Sequence, residues 1–218
     1  MCYEDPIAML IKTFEVTSLG CNCTVLADES TRDAVVIDPG GDMDRVLPYV
    51  REHQLNVRMA VHTHAHLDHI GGTRPLKEAT SATIMLHKGD AWLYENLPMQ
   101  CMLFGWDPTP PLPVDEWYEH GQTLKCGSLA LDVIHTPGHS PGSVCFHMKD
   151  AGLLFSGDTL FRSSIGRTDL WGGNSEEIID SIRGRLMCLD DRVKVVPGHG
   201  TATTIGAERR SNPFIREE

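Results

Sequence analysis

The chain has 218 residues, 41% of them apolar and 22% charged, a composition typical of water-soluble globular proteins long enough to bury a core unaided. Lys and Arg number 19 against 30 Asp and Glu, leaving a formal charge of −11. That is the wrong sign for a surface that meets phosphate backbones, so no nucleic-acid partner is expected.

The seven cysteines (Cys2, Cys21, Cys23, Cys101, Cys126, Cys145 and Cys188) are odd in number and form no C-x-x-C pair. They read as reduced thiols of a cytoplasmic protein, with Cys145 and Cys188 in the core. The opening MCYEDPIAMLIKTF lacks a basic stretch followed by a long apolar run. Neither a secretory signal nor a membrane partner is expected. The length favours one domain over residues 1–218 and fixes no oligomeric state.

In chain order, residues 34–37 form an apolar strand stopped by Asp38-Pro39-Gly40-Gly41. Met43, Val46, Leu47 and Val50 keep helical spacing after an Asp42 cap, and Pro48 predicts a late start or a bend. A strand at 57–61 runs into a His-rich segment, then come a helix at 73–79 and a strand at 82–86. Residues 96–117 carry Pro98, Pro108, Pro110, Pro111 and Pro113, which predicts an irregular loop whose Phe104, Trp106 and Trp117 wall a pocket or simply pack down. Strands follow at 129–134, 143–147 and 153–156. Asn174, with Glu177 three positions on, caps a helix whose apolar stripe is Ile178, Ile182 and Leu186. A last strand covers 193–196. The alternation predicts an α/β domain.

The segment Thr63-His64-Ala65-His66-Leu67-Asp68-His69 puts four metal-capable side chains within six residues at a strand's end. On a strand, His64, His66 and Asp68 would share a face while His69 pointed away, which calls for a bend or two separate ions. Ile70-Gly71-Gly72 follows, as expected where backbone packs closely beside a site. Three further candidates each end a predicted strand beside glycine: His139 in TPGHSPG, Asp158 in FSGDT and His199 in PGHG. Imidazole and carboxylate donors suit zinc, iron or manganese.

THAHLDHIGG, TPGHSPGS, FSGDTLF and VPGHG resemble, in order and spacing, the signature set of the metallo-β-lactamase superfamily. SSIGRTDLWGGN and TTIGAERRSNPFI resemble its short glyoxalase-II-like branch, the hydroxyacylglutathione-hydrolase-related proteins. The resemblance implies an α/β fold, the αβ/βα sandwich of two mixed sheets flanked by helices. It also implies two divalent metal ions, zinc foremost. His64, His66 and His139 would hold one, Asp68, His69 and His199 the other, and Asp158 would bridge them. Asp68 is then also the catalytic carboxylate. Histidine rather than glutamate at position 66 points away from the flavodiiron branch.

The implied activity is hydrolysis of a small-molecule thioester such as S-D-lactoylglutathione, by hydroxide attack on the carbonyl. Full-length glyoxalase II carries a C-terminal helical region that binds glutathione, and Glu218 lies only nineteen residues beyond His199. Substrate contacts are therefore expected from Phe104, Trp106, Phe161, Arg162 and Arg167, although Arg167 reads equally well as an ion pair with Asp169. Trp92 and Tyr94 are pocket or packing residues. His53, His62, His87, His120, His135 and His147 have no motif partner. Alternatives are a persulfide dioxygenase with one iron on His64, His139 and Asp158, and a metal-binding protein without turnover.

Overall fold

A computed structural model describes residues 8–108 and 110–216. Cys2 and the first seven residues of the N-terminal stretch read above lie outside that description. In chain order the elements are β1 (Met9–Val16), β2 (Cys21–Asp28), β3 (Asp33–Ile37), α1 (Met43–Glu52), β4 (Asn56–Val61), α2 (Leu67–Ile70), α3 (Thr73–Thr80), β5 (Thr83–His87), α4 (Ala91–Glu95), α5 (Leu97–Phe104) and β6 (Glu116–Tyr118). Then come β7 (Thr123–Cys126), β8 (Leu129–His135), β9 (Val144–Met148), β10 (Leu153–Gly157), β11 (Leu160–Phe161), β12 (Ser164–Ile165), α6 (Ser175–Ser181), β13 (Lys194–Pro197), β14 (Thr203–Thr204) and α7 (Ile205–Ser211).

Two six-stranded sheets result, ordered β1-β2-β3-β4-β5-β6 and β14-β13-β10-β9-β8-β7. Both are mixed: β3 to β6 are mutually parallel while β1 and β2 form an antiparallel ribbon. In the second sheet, β8 is antiparallel to β9 and β9 to β10, and β10 is parallel to β13. Hence β8, β10 and β13 all run the same way.

The inner faces meet through Leu26, Val35, Ile37, Val61 and Tyr118 on one side and Leu131, Val133, Phe146 and Phe155 on the other. Outside the first sheet, Met43, Val46 and Val50 of α1 and Leu76 of α3 cover Val25, Val36 and Ala60. Outside the second, Ile178, Ile182, Leu186 and Ile205 cover Cys145, Leu154 and Val195. This is the sandwich of two mixed sheets flanked by helices. No helix among the described residues is long and apolar enough to cross a membrane.

Four local expectations need correction. Pro48 neither delays nor ends α1. An interior proline costs roughly 3 kcal/mol, but burying the α1 side chains Met43, Val46 and Val50 contributes about 1.5–3 kcal/mol each, and Pro48 is itself exposed. Asp42 does not cap the helix. Its backbone is left-handed (φ 50°) and its Oδ2 accepts the Thr17 N–H at 2.9 Å, tying α1 to the β1–β2 turn. The stretch 96–117 is not all irregular. Pro98 falls in the first turn of α5, where its missing N–H has no partner to lose. Cys188 is exposed, unlike buried Cys145.

Asn174 does cap α6, its Oδ1 accepting from the N–H groups of Glu176 and Glu177 at 3.0 and 3.2 Å. The stripe Ile178–Ile182–Leu186 continues past α6 through the wide turn Ile182–Leu186.

His87 ends β5 and His135 ends β8, and their rings stack across the two sheets at 4.1 Å and 23°. Burial, and then the neighbouring His135, push the His87 imidazole down to about 4 from 6.5. A lowered folded-state value means that protons favour the unfolded chain. The contribution of neutral His87 is full above pH 6.5 and is lost as pH falls towards 4. His87→Gln is expected to lose less urea resistance than the parent between those two pH values. Parallel urea midpoints check this, and identical slopes for both proteins would refute it.

Candidate metal centre

The site forms where strands of both sheets end at one edge of the sandwich. Asp38 follows β3, the His64–His69 segment follows β4, His139 lies in the loop after β8, Asp158 follows β10, and His199 follows β13. The seam is stitched directly: Val144 donates its N–H to the Thr63 carbonyl (2.8 Å), and Asn22 donates its N–H to the Gly198 carbonyl (2.7 Å). Of the bend or two separate ions that the spacing calls for, the chain does bend: Leu67–Ile70 turns into the short helix α2 and lets adjacent Asp68 and His69 face one centre.

Three groups of ligand atoms converge, each within 4.8 Å: His64, His66 and His139; His64, His69 and Asp158; Asp68, His69 and His199. His139 Nε2 is 2.9 Å from His66 Nδ1 and 3.2 Å from His64 Nε2. His69 Nε2 and His199 Nε2 are 3.2 Å apart, with Asp68 Oδ2 3.1 Å from the latter. Asp158 Oδ2 lies 3.6 Å from Nε2 of both His139 and His199, between the two groups. Four ligands around an ion at about 2.0–2.1 Å in tetrahedral geometry sit roughly 3.3 Å apart, so these spacings fit.

The protonation states follow from what surrounds the rings. His139 Nδ1 faces the Arg167 carbonyl (2.8 Å) and His199 Nδ1 the Leu19 carbonyl (3.0 Å). His69 Nδ1 faces Asp38 Oδ2 at 3.0 Å. His64 Nδ1 faces Thr63 Oγ1 at 3.1 Å, and that hydroxyl gives its own proton to Asp38. Each of these Nδ1 atoms meets an acceptor and must carry the hydrogen. In the neutral rings all four Nε2 atoms therefore present lone pairs inward. Lone pairs facing one another at 3.2 Å, beside a buried Asp158 Oδ1 with no hydrogen-bond partner, call for cations.

Electrostatics divides the centre. Burial, reinforced by the surrounding imidazoles, holds His64 and His66 well below the ordinary histidine range, hence neutral. At His69 and His199 burial also opposes charge, but the neighbouring acidic groups reverse it. Cys21, Asp158, Asp68 and Asp38 raise His69, and Asp68 and Asp158 raise His199. That half of the site is negative enough to hold protons where no ion is bound.

Asp38, absent from the motif reading beyond its turn, is the common support. Its Oδ1 takes the Thr63 N–H at 2.7 Å while Oδ2 takes the Thr63 hydroxyl and His69. It does so with φ at 51°, a conformation non-glycine residues seldom adopt. Two further buried groups were not legible locally. Asp90 accepts from Ala65 N–H, Ser140 Oγ and Gly142 N–H, joining the β4 and β8 loops. Gln100 accepts from Leu67 N–H and donates to the Ala65 carbonyl. No local sequence signal marks the role of either.

Glycine is required where backbone closes on the centre. A Cβ on Gly71 would lie 2.8 Å from the Gly40 carbonyl oxygen, the close packing expected of Gly71-Gly72. A Cβ on Gly198 would lie 2.2 Å from Asp158 Oδ1 and 2.8 Å from His69 Cε1.

A cleft of about 210 Å³ opens over His66, Asp68, His139, Asp158 and His199, walled by Leu19, Phe104, Arg167, Leu170 and Trp171. Of the expected substrate contacts, Phe104 and Arg167 line it. Phe161 stands behind, its ring 6.4 Å from that of His199. Trp106 lines a neighbouring hollow with Leu97 and Cys101, and Arg162 borders a separate groove beside Lys194 and Glu208. Arg167 is held in a two-point pair with Asp169, both contacts 2.7 Å. Trp92 is exposed and Tyr94 buried, and neither lines the cleft.

The metallo-beta-lactamase superfamily model matches residues 16–199. Hydroxyacylglutathione hydrolase GloC of Haemophilus influenzae is 37% identical over 212 residues, covering 96% of this chain and 100% of that protein. The crystal structure of BLEG-1, a B3 metallo-beta-lactamase, superposes with a TM-score of 0.89 at 36% identity, over 95% of this chain and 100% of that one. TTHA1623 in a di-iron-bound form superposes at 0.85 with 37% identity, over 94% and 100%. With its divalent-metal donor set and its sandwich, the chain belongs to the metallo-β-lactamase superfamily.

Proposed function

We propose that the protein is a thioesterase of the glyoxalase-II type, hydrolysing small thioesters such as S-D-lactoylglutathione on two divalent ions, zinc foremost. The observation that carries this reading is the convergence of four imidazole lone pairs around buried Asp68 and half-buried Asp158 at the floor of an open cleft. A purely structural zinc site closes its sphere with four ligands and has no reason to open to solvent. The likeness to a hydroxyacylglutathione hydrolase supports the substrate class.

His64, His66 and His139 would hold one ion and Asp68, His69 and His199 the other, with Asp158 between them. When bound, such a pair polarises a carbonyl and brings the pKa of water to near neutrality. The chain's own part is orientation. Asp38, Thr63 and the carbonyls of Leu19 and Arg167 fix the rings. Asp68, whose side chain is 10% exposed at the cleft floor, accepts the proton of the attacking water. Oxygen adds to the carbonyl carbon, the carbon–sulfur bond breaks, and the electron pair leaves on sulfur. The proton retained on Asp68 then passes to the thiolate, giving a carboxylic acid and a thiol. A thiolate leaves without a strong general acid, which suits a cleft whose one lining Lys or Arg among the described residues, Arg167, is tied to Asp169.

Purified protein is expected to release thiol from S-D-lactoylglutathione with about two ions per chain, to lose that activity on chelation and to regain it with zinc. A single iron with oxygen uptake on glutathione persulfide, and no thiol release, would establish the dioxygenase instead. Asp38→Asn keeps a residue that tolerates the left-handed backbone but places an amide against Thr63 and His69. Metal affinity is expected to fall by about 10–100-fold, read by chelator competition. Unchanged affinity would remove Asp38 from its supporting role.

A further inference from the structure

The cleft has a chemical asymmetry that the thioesterase reading leaves unused. Its floor is polar, while its rim is built from Leu19, Phe104, Leu170 and Trp171. Leu19 and Phe104 are 44% and 41% exposed, and Phe104 ends an apolar helix whose Met102 and Leu103 are 72% and 64% exposed. Glutathione brings two carboxylates and an ammonium, which are recognised by unpaired cations and acids at a rim. Among the described residues lining this cleft Arg167 is the one Lys or Arg, and the Nε–Nη2 edge of its guanidinium is engaged by Asp169, whose carboxylate offsets its charge. The net charge of −11 further opposes an anionic peptide.

We propose that the Leu19–Phe104–Leu170–Trp171 wall selects thioesters with an apolar or aromatic acyl group, and that the cleft does not recognise the glutathione peptide. This rests on the thioesterase reading and names the substrate class of that site. In this proposal the acyl carbon lies over the floor carboxylates with its substituent along the wall. Each methylene buried there is worth about fourfold in kcat/KM. The thiol half points to solvent, where little holds it.

The test uses the full-length, metal-loaded protein and four substrates: lactoyl and phenylacetyl thioesters, each on glutathione and on N-acetylcysteamine. Every kcat/KM is normalised to the spontaneous hydrolysis of the same ester. Phenylacetyl is expected to exceed lactoyl by at least about tenfold on either thiol, and the change of thiol to matter by less than about threefold. Phe104→Ala, at a half-exposed position, should cut the phenylacetyl-to-lactoyl ratio by about fivefold or more. Arg167→Ala should leave the glutathione-to-N-acetylcysteamine ratio where it was. Preference for lactoyl, or a preference for glutathione of about tenfold that Arg167→Ala abolishes, overturns this proposal and leaves the thioesterase intact. Failure to hydrolyse any of the four overturns both.

Discussion

The structure depends on holding four imidazole lone pairs and two carboxylates together in a space from which water is largely removed. Each ring is aimed by a hydrogen bond on its far side: His69 by Asp38, His64 by Thr63, and His139 and His199 by backbone carbonyls of Arg167 and Leu19. Remove the acceptor behind a ring and its tautomer is no longer specified. The acceptors are therefore as much part of the centre as the ligands. They come from four separate parts of the chain, at Leu19, Asp38, Thr63 and Arg167, so the centre exists only when both sheets have docked.

That dependence explains where unusual backbone accumulates. Asp38 is left-handed and buried, and Gly40, Gly71 and Gly198 lie where a single methyl would collide with neighbouring chain. Such features cost stability and persist only when surroundings over-determine them. The surroundings here are the inner apolar layer, the Val144–Thr63 and Asn22–Gly198 stitches, and the buried Asp90 clamp between two ligand loops. Parallel direction matters as well. Because β3 and β4 run together, and β8, β10 and β13 run together, their carboxyl ends reach one edge. Loops after those strands then meet without long excursions.

Much of this was legible in the chain because ligand residues are short-range signals. The His64–His69 segment follows one strand, His139, Asp158 and His199 each end another beside glycine, and the strand pattern places these candidates before any tertiary contact is known. The supporting shell was less legible for an equally physical reason. Asp90 and Gln100 act through partners 25 to 52 and 33 to 35 residues away, and nothing in their local sequence marks them. The β1–β2 ribbon escaped notice because alternation is masked: β2 is buried on both faces at Thr24, Val25, Leu26 and Ala27. Prolines disturb less here than their positions predict. Pro48 is tolerated by packing, and Pro98 begins a helix that it was read as forbidding.

The misread helix changes the functional picture. A proline-rich loop over the cleft would close or open with little cost and adapt to whatever bound. α5 instead is anchored from below by buried Leu97, Gln100 and Cys101, and Gln100 ties it to the very loop that carries His66 and Asp68. Phe104 thus stands on a rigid element referenced to the floor, at the last turn before Gly105 releases the chain. A fixed apolar side chain beside a fixed metal-ligand set gives discrimination by shape and burial rather than by charge. The chemistry of the floor is shared by any substrate with a hydrolysable carbonyl. On the proposed reading the rim decides which of them is turned over, and in this chain α5, the β1–β2 turn and the segment after Arg167 build it.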